Sequence, residues 1–189
     1  MKEQKVHDAK FVWGRLSMND PYHVIREVFS YADVGFYRGF LKDVLLYSTR
    51  KKRYRKEDAG QVLFLLEGVD CMLKACFEIS QNPPPGHAEP SEDERYNRNP
   101  NAEGETTVSY TWSNFPRALT QAEAQNPYRA FAKVYKHNSP YQWRRTINYL
   151  AADACGRYDD FPEENTLKVY LQLSRLFEAA YLVYTRQAA

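Results

Sequence analysis

Between residues 57 and 80 the apolar side chains recur with the period of an α-helix, and no other stretch restricts the fold as strongly. At 100° per residue, Val62, Leu65, Leu66, Val69, Met72, Leu73, Cys76, Phe77 and Ile79 fall on one broad arc. Gln61, Glu67, Asp70, Lys74 and Glu78 occupy or border the opposite side. An arc that wide is stable only when other elements cover it, so the chain needs further helices. Asn82-Pro83-Pro84-Pro85-Gly86 then stops the helix, because proline removes a donor and clashes with the preceding turn.

Those helices announce themselves by their starts. Asn19-Asp20-Pro21 begins one, with Asp20 as cap and Pro21 where no donor is needed. Val24, Ile25, Val28 and Phe29 follow at helical spacing. Ser30-Tyr31-Ala32-Asp33 has the spacing of a second capping box. Gly35 suggests a bend, and the period resumes through Phe36, Phe40, Leu41, Val44 and Leu45 to about Tyr47. The pattern leaves open one kinked helix or two.

Thr120 and Glu123 have capping-box spacing, and Asn126-Pro127 and Ser139-Pro140 repeat the cap-then-proline start. Tyr22, Tyr128 and Tyr141 follow the three prolines, so DPYHVIREVF echoes NPYRAFAKVY, at spacings too irregular for a solenoid. A last helix is expected from near Pro162, with Leu167, Tyr170, Leu171, Leu173, Leu176, Phe177, Ala180, Tyr181 and Tyr184 as its apolar face.

Residues 82–105, rich in Pro, Asn, Gly and acids, read as a long mobile polar loop. Thr106 to Trp112 alternates with period two, as a strand does, and residues 10–16 are the only partner available for a small β-hairpin. The expected fold is mainly α: a single helical domain spanning 1–189, an irregular bundle of five or six helices with that loop and room for one hairpin. A chain of 189 residues with 43% hydrophobic content can bury such a core unaided.

Compartment follows from three features. Cys71, Cys76 and Cys155 are few and odd in number, which fits a reducing environment. The first residues lack the apolar stretch of a signal peptide, and nowhere do 18 apolar residues run together. The expectation is a cytoplasmic protein with no membrane partner.

Familiar chemistries do not fit. Cys71 and Cys76 sit about 140° apart on one helix and cannot share an ion. His7, His23, His87 and His137 are scattered, and no Glu-x-x-His pair exists, so no metal or cofactor is expected. Glu67 and Asp70 lie close on a helix, but Lys74 and Glu78 share their polar stripe, as on any solvated face. Cys155 near a helix end has no local base. Nucleophile elbows and phosphate loops are absent, and Arg129 and His137 are spaced too widely for compact helical nucleases. No catalytic residue is expected.

Two surfaces remain. Arg50, Lys51, Lys52, Arg53, Tyr54, Arg55 and Lys56 put six cations in seven residues, with Tyr54 able to stack on a base. The same run also reads as a solvated turn at a helix C-terminus, where cations offset the dipole. The second lies within Tyr128–Arg145, where Trp143, Arg144 and Arg145 form a trio in which arginine can stack on indole. Phe131, Val134 and Tyr135 there read as core. Charge is uneven along the chain: 13 − 6 = +7 over residues 1–56, 4 − 12 = −8 over 57–125 and 9 − 6 = +3 over 126–189. The expected function is a binding or interaction module whose basic surface takes nucleic acid or an acidic protein. A small-molecule pocket or enzyme site between helices, lined by tyrosine and tryptophan, is the other reading, and a homo-oligomer built on a wide apolar face is a third.

Overall fold

The computed structural model of the 189-residue chain describes Trp13 and residues 20–49, 54–84, 116–156 and 165–188. Among the described residues there are seven helices and no strand: α1 Pro21–Tyr31, α2 Val34–Thr49, α3 Ala59–Gln81, α4 Gln121–Gln125, α5 Tyr128–Tyr135, α6 Pro140–Ala154 and α7 Thr166–Ala188. The fold is mainly α, with one or two more helices than the apolar periodicity suggests. The extra ones arise at α4, a single capped turn too short to carry a period, and at the break between α1 and α2.

Local chemistry explains most boundaries. Asp20 Oδ1 accepts from the Tyr22 and His23 N–H groups, each at 3.0 Å, with Pro21 in the first turn. The second cap differs from expectation. Asp33 Oδ1 accepts from Phe36 N–H at 2.7 Å and so opens α2, whereas Ser30 Oγ bonds back to Glu27 O inside α1. Ala32, in an extended conformation, separates two distinct helices, and Gly35 lies within the second. Thr120/Glu123 and Ser139/Gln142 form full capping boxes. Asn126-Pro127 does not repeat that pattern: α5 starts without a side-chain cap, and Asn126 closes α4 through its N–H to Ala122 O.

Helix α3 lies at the centre, packing on α1, α5 and α6, while α7 packs on α2, α1 and α5, and α2 also meets α6. The face expected on α3 is buried, including Val62, Leu65, Leu66, Val69, Met72, Leu73, Cys76 and Ile79. Phe131 and Val134 join it, and Tyr135 bonds to Leu73 O. On α7 the inner face is Val169, Leu173, Leu176, Phe177 and Ala180, but Leu167 and Leu171 lie on the solvent side. The expected arc was too wide: at 100° per residue Leu167 and Leu171 fall away from Leu173 and Phe177.

Trp13 packs against Phe64 and Tyr31, and its ring lies where a side chain on Gly68 would stand. The remainder of the proposed hairpin (10–16 with 106–112) and residues 85–105 of the polar loop lie outside the described residues. No described helix is long and apolar enough to cross a membrane.

Candidate functional site

Of the basic run, Arg50, Lys51, Lys52 and Arg53 lie outside the described residues. Tyr54 is only 5% exposed. Its ring meets Tyr47 and Phe40 edge-on at 5.3 and 6.4 Å, and its N–H donates to Ala154 O at 3.2 Å. Burial, aided by the nearby Glu57 and Asp43 carboxylates, pushes its phenol up to about 12. This ring belongs to the core, so the expected stacking on a base is corrected. The apolar body of tyrosine makes it a fit plug where the chain leaves α2. Lys56 pairs with Asp43 across the turn, and Arg55 is exposed.

The second trio divides between core and solvent. Trp143 is 1% exposed and packs inward with Ile147, Leu150 and Ala154, so neither arginine stacks on its indole. Arg145 instead lies 5.4 Å from the Tyr149 ring centroid and donates to its hydroxyl from Nε and Nη2 at 3.1 and 2.9 Å. Arg144 is exposed. At 100° per residue Tyr141, Arg144, Arg145 and Asn148 share an arc of about 100° opposite Trp143 and Leu150. Tyr141 is 77% exposed, the most open of the large apolar-bodied side chains described. Sequence reading passed over it because its Ser-Pro-Tyr context matches two other helix starts. The only discriminating signal was its phase, two residues before the buried Trp143.

No Asp or Glu occurs from Ala124 to Ala152, a stretch that carries Arg129, Lys133, Lys136, Arg144 and Arg145. Lys133 is paired with the buried Glu123, at 3.2 Å. Arg129, Lys136, Arg144 and Arg145 are exposed and have no carboxylate partner among the described residues. The far end of this helix receives Tyr54. Tyr54 meets Ala154, ten residues beyond Arg144 and therefore about 15 Å along the axis.

A second feature lies between α2 and α7. Gly35, Gly39 and Lys42 on one helix face Tyr170, Ser174 and Glu178 on the other across a cleft of about 330 Å³. Its inner end is a buried ion pair, Arg38 Nη1 to Glu178 Oε1 at 2.6 Å. Glu178 Oε2 accepts from the N–H groups of Arg117 and Ala118 at 2.9 and 2.7 Å. Spacing along the sequence could not find this pair, because its members are 140 residues apart.

Cys71 and Cys76 are buried, and burial pushes both thiols up, away from the reactive thiolate. Among the described residues no group of three His, Cys, Asp or Glu side chains converges as metal ligands do. Lys74 bonds Asp70 at 2.7 Å on the wet side of α3. Comparison with family models, curated proteins and solved structures finds no match to this chain.

Proposed function

We propose that this chain is a non-catalytic binding module that engages single-stranded nucleic acid through the outer stripe of α6. The observation that supports it is the open Tyr141 standing among Arg144, Arg145 and Asn148 on a carboxylate-free stretch. Phosphates pair with the guanidinium groups and release counterions, while the tyrosine ring offers a face to a base. Lys136, four residues before Pro140, adds a third cation near the same helix end. Arg55, next to the Tyr54 that meets Ala154, is an exposed cation toward the other end of α6. An acidic protein would meet the same charges but gain less from an exposed aromatic ring.

Fluorescence anisotropy with a labelled oligothymidylate, compared with labelled polyglutamate, tests this reading. With Arg144, Arg145 and Lys136 each neutralising one phosphate, log K falls with log salt at a slope of about −2. A fourfold rise in salt then weakens binding roughly 20-fold. Arg144→Ala with Arg145→Ala leaves one contact, so the same rise costs about threefold. Tyr141→Ala weakens binding by about 1–3 kcal/mol without changing the slope. Polyglutamate binding as tightly as the oligonucleotide, or a slope indifferent to the two arginines, refutes the proposal.

A further inference from the structure

We infer that the cleft between α2 and α7 is a binding site for a small carboxylate with a short apolar body. Ser174 is the first reason. Its side chain is buried, at 2% exposure, yet its Oγ has no hydrogen-bond partner among the described residues. A hydroxyl inside a helix ordinarily bonds back to a carbonyl three or four residues earlier. Ser30, Ser80, Thr146 and Thr185 all do so in this molecule. Thr166, in the first turn of α7, also lacks a partner for its hydroxyl among the described residues, but of the two only Ser174 lines the cleft.

The facing helix carries the complementary features. A Cβ built on Gly39 meets nothing within 4 Å, so the glycine holds open space at the cleft where any other residue would fill it. Glycine weakens a helix interior, and no close packing or unusual backbone angle calls for it here. Lys42, one turn further on, is exposed and has no carboxylate partner among the described residues. Beneath both, the Arg38–Glu178 pair, held by two backbone N–H groups, is a fixed floor whose charges offset each other. The volume, about 330 Å³, is at the small end of the range for ligand sites.

These groups select the ligand. A planar carboxylate takes one oxygen to Lys42 and the other to the Ser174 hydroxyl, which is sealed from water and turns about its Cα–Cβ bond to meet it, while Tyr170 and Leu171 cover an apolar body. A doubly charged phosphate would set a second negative charge above Glu178 with only Lys42 unengaged to balance it. The site makes no use of α6, so this inference and the nucleic-acid reading can fail separately.

The test is an amide chemical-shift titration of the full chain with benzoate, its neutral isostere benzamide, and inorganic phosphate. Benzoate is expected to give saturable shifts at Gly39, Lys42 and Ser174 and to bind at least about tenfold more tightly than benzamide, as loss of a charged hydrogen bond implies. Lys42→Ala should lose a similar factor. Gly39→Leu, whose side chain enters space that is open, should fold with an unchanged circular dichroism spectrum and lose the shifts. Absence of saturable shifts, equal binding of benzamide, phosphate binding as tightly as benzoate, or retained binding in Gly39→Leu would overturn the inference.

Discussion

Replacing Glu178 by glutamine keeps the size of the side chain and removes the charge that Arg38 faces. Glu178 is 1% exposed and Arg38 7%, so water cannot take over for the lost partner. Breaking a buried, hydrogen-bonded ion pair from one side costs about 3–5 kcal/mol. Geometry puts this case inside that range. The carboxylate accepts from three donors: Arg38 Nη1, Arg117 N–H and Ala118 N–H. A glutamine has one oxygen and one NH₂, so whichever way it turns, a donor meets a donor on one side. For a chain of 189 residues each kcal/mol moves the melting temperature by about 2–4 °C, and the expected loss is roughly 6–20 °C. Thermal unfolding followed by circular dichroism measures that shift, and urea unfolding the free-energy loss behind it. In the pair Arg38→Met with Glu178→Gln, both charges go and the glutamine oxygen can turn to the two backbone N–H groups. That double variant should therefore recover at least about 2 kcal/mol of the summed single losses, a coupling of the size contacting residues show. A Glu178→Gln protein within about 1 kcal/mol of the parent, or strictly additive losses, would refute this account of the pair.

Two glycines should respond in opposite directions to the same change. Gly39→Ala gains helix propensity into open space and should stabilise by about 0.5–1 kcal/mol, whereas Gly68→Ala places a methyl 2.9 Å from the Trp13 ring and should destabilise, overpacking of about 1–3 kcal/mol exceeding that gain. Equal stabilisation of both variants in urea would show that Trp13 gives way freely. Alkaline pH should weaken the fold through buried phenols: burial holds Tyr54 up to about 12, pushes Tyr22 and Tyr37 higher still, and raises Tyr135 well above the ordinary phenol value. Above pH about 10 the unfolded chain has released phenolic protons that the folded chain keeps, so stability, complete below that pH, falls as pH rises, each such group adding about 1.4 kcal/mol per unit. A urea midpoint unchanged from pH 9 to pH 11.5 would contradict this.

What the sequence made legible were the features fixed by neighbours along the chain. The Asp20-Pro21 and Ser139-Pro140 starts and the buried face of α3 depend on residues within a turn or two, and each is found where local spacing puts it. The reading erred where side-chain phase had to be decided against partners elsewhere. Tyr54 sits amid six cations, yet the approach of Phe40, Tyr47 and Ala154 buries it. Trp143 adjoins two arginines in sequence but points the other way. The Arg38–Glu178 pair left one faint trace. Arg38 follows Val34 by four residues and precedes Leu41 by three and Leu45 by seven, which puts a lone charge in phase with an apolar face. A charge so placed must meet a partner, and nothing in a linear sequence says that the partner is 140 residues away.

Residues that stability does not account for are the ones that point to function. Glu178 and Glu123 are buried charges, but each is met by cations and N–H groups, so they explain themselves as parts of the framework. Desolvation works against the Glu123 carboxylate, and hydrogen bonds from Thr120 and Lys133 with the Arg175 charge overcome it and hold its pKa below the ordinary value. Gly39, Ser174, Tyr141 and Arg144 have no such account. Alanine at 39 would strengthen α2, an aliphatic residue at 174 would remove an unmade hydrogen bond, and a carboxylate four residues from Arg144 would support α6. A chain under pressure only to fold would be free to adopt each of these. Their absence falls at two separate places, one an exposed basic stripe with an open aromatic ring, the other a partly apolar cleft, and that division is why a polyanion is proposed for the first and a small acid for the second.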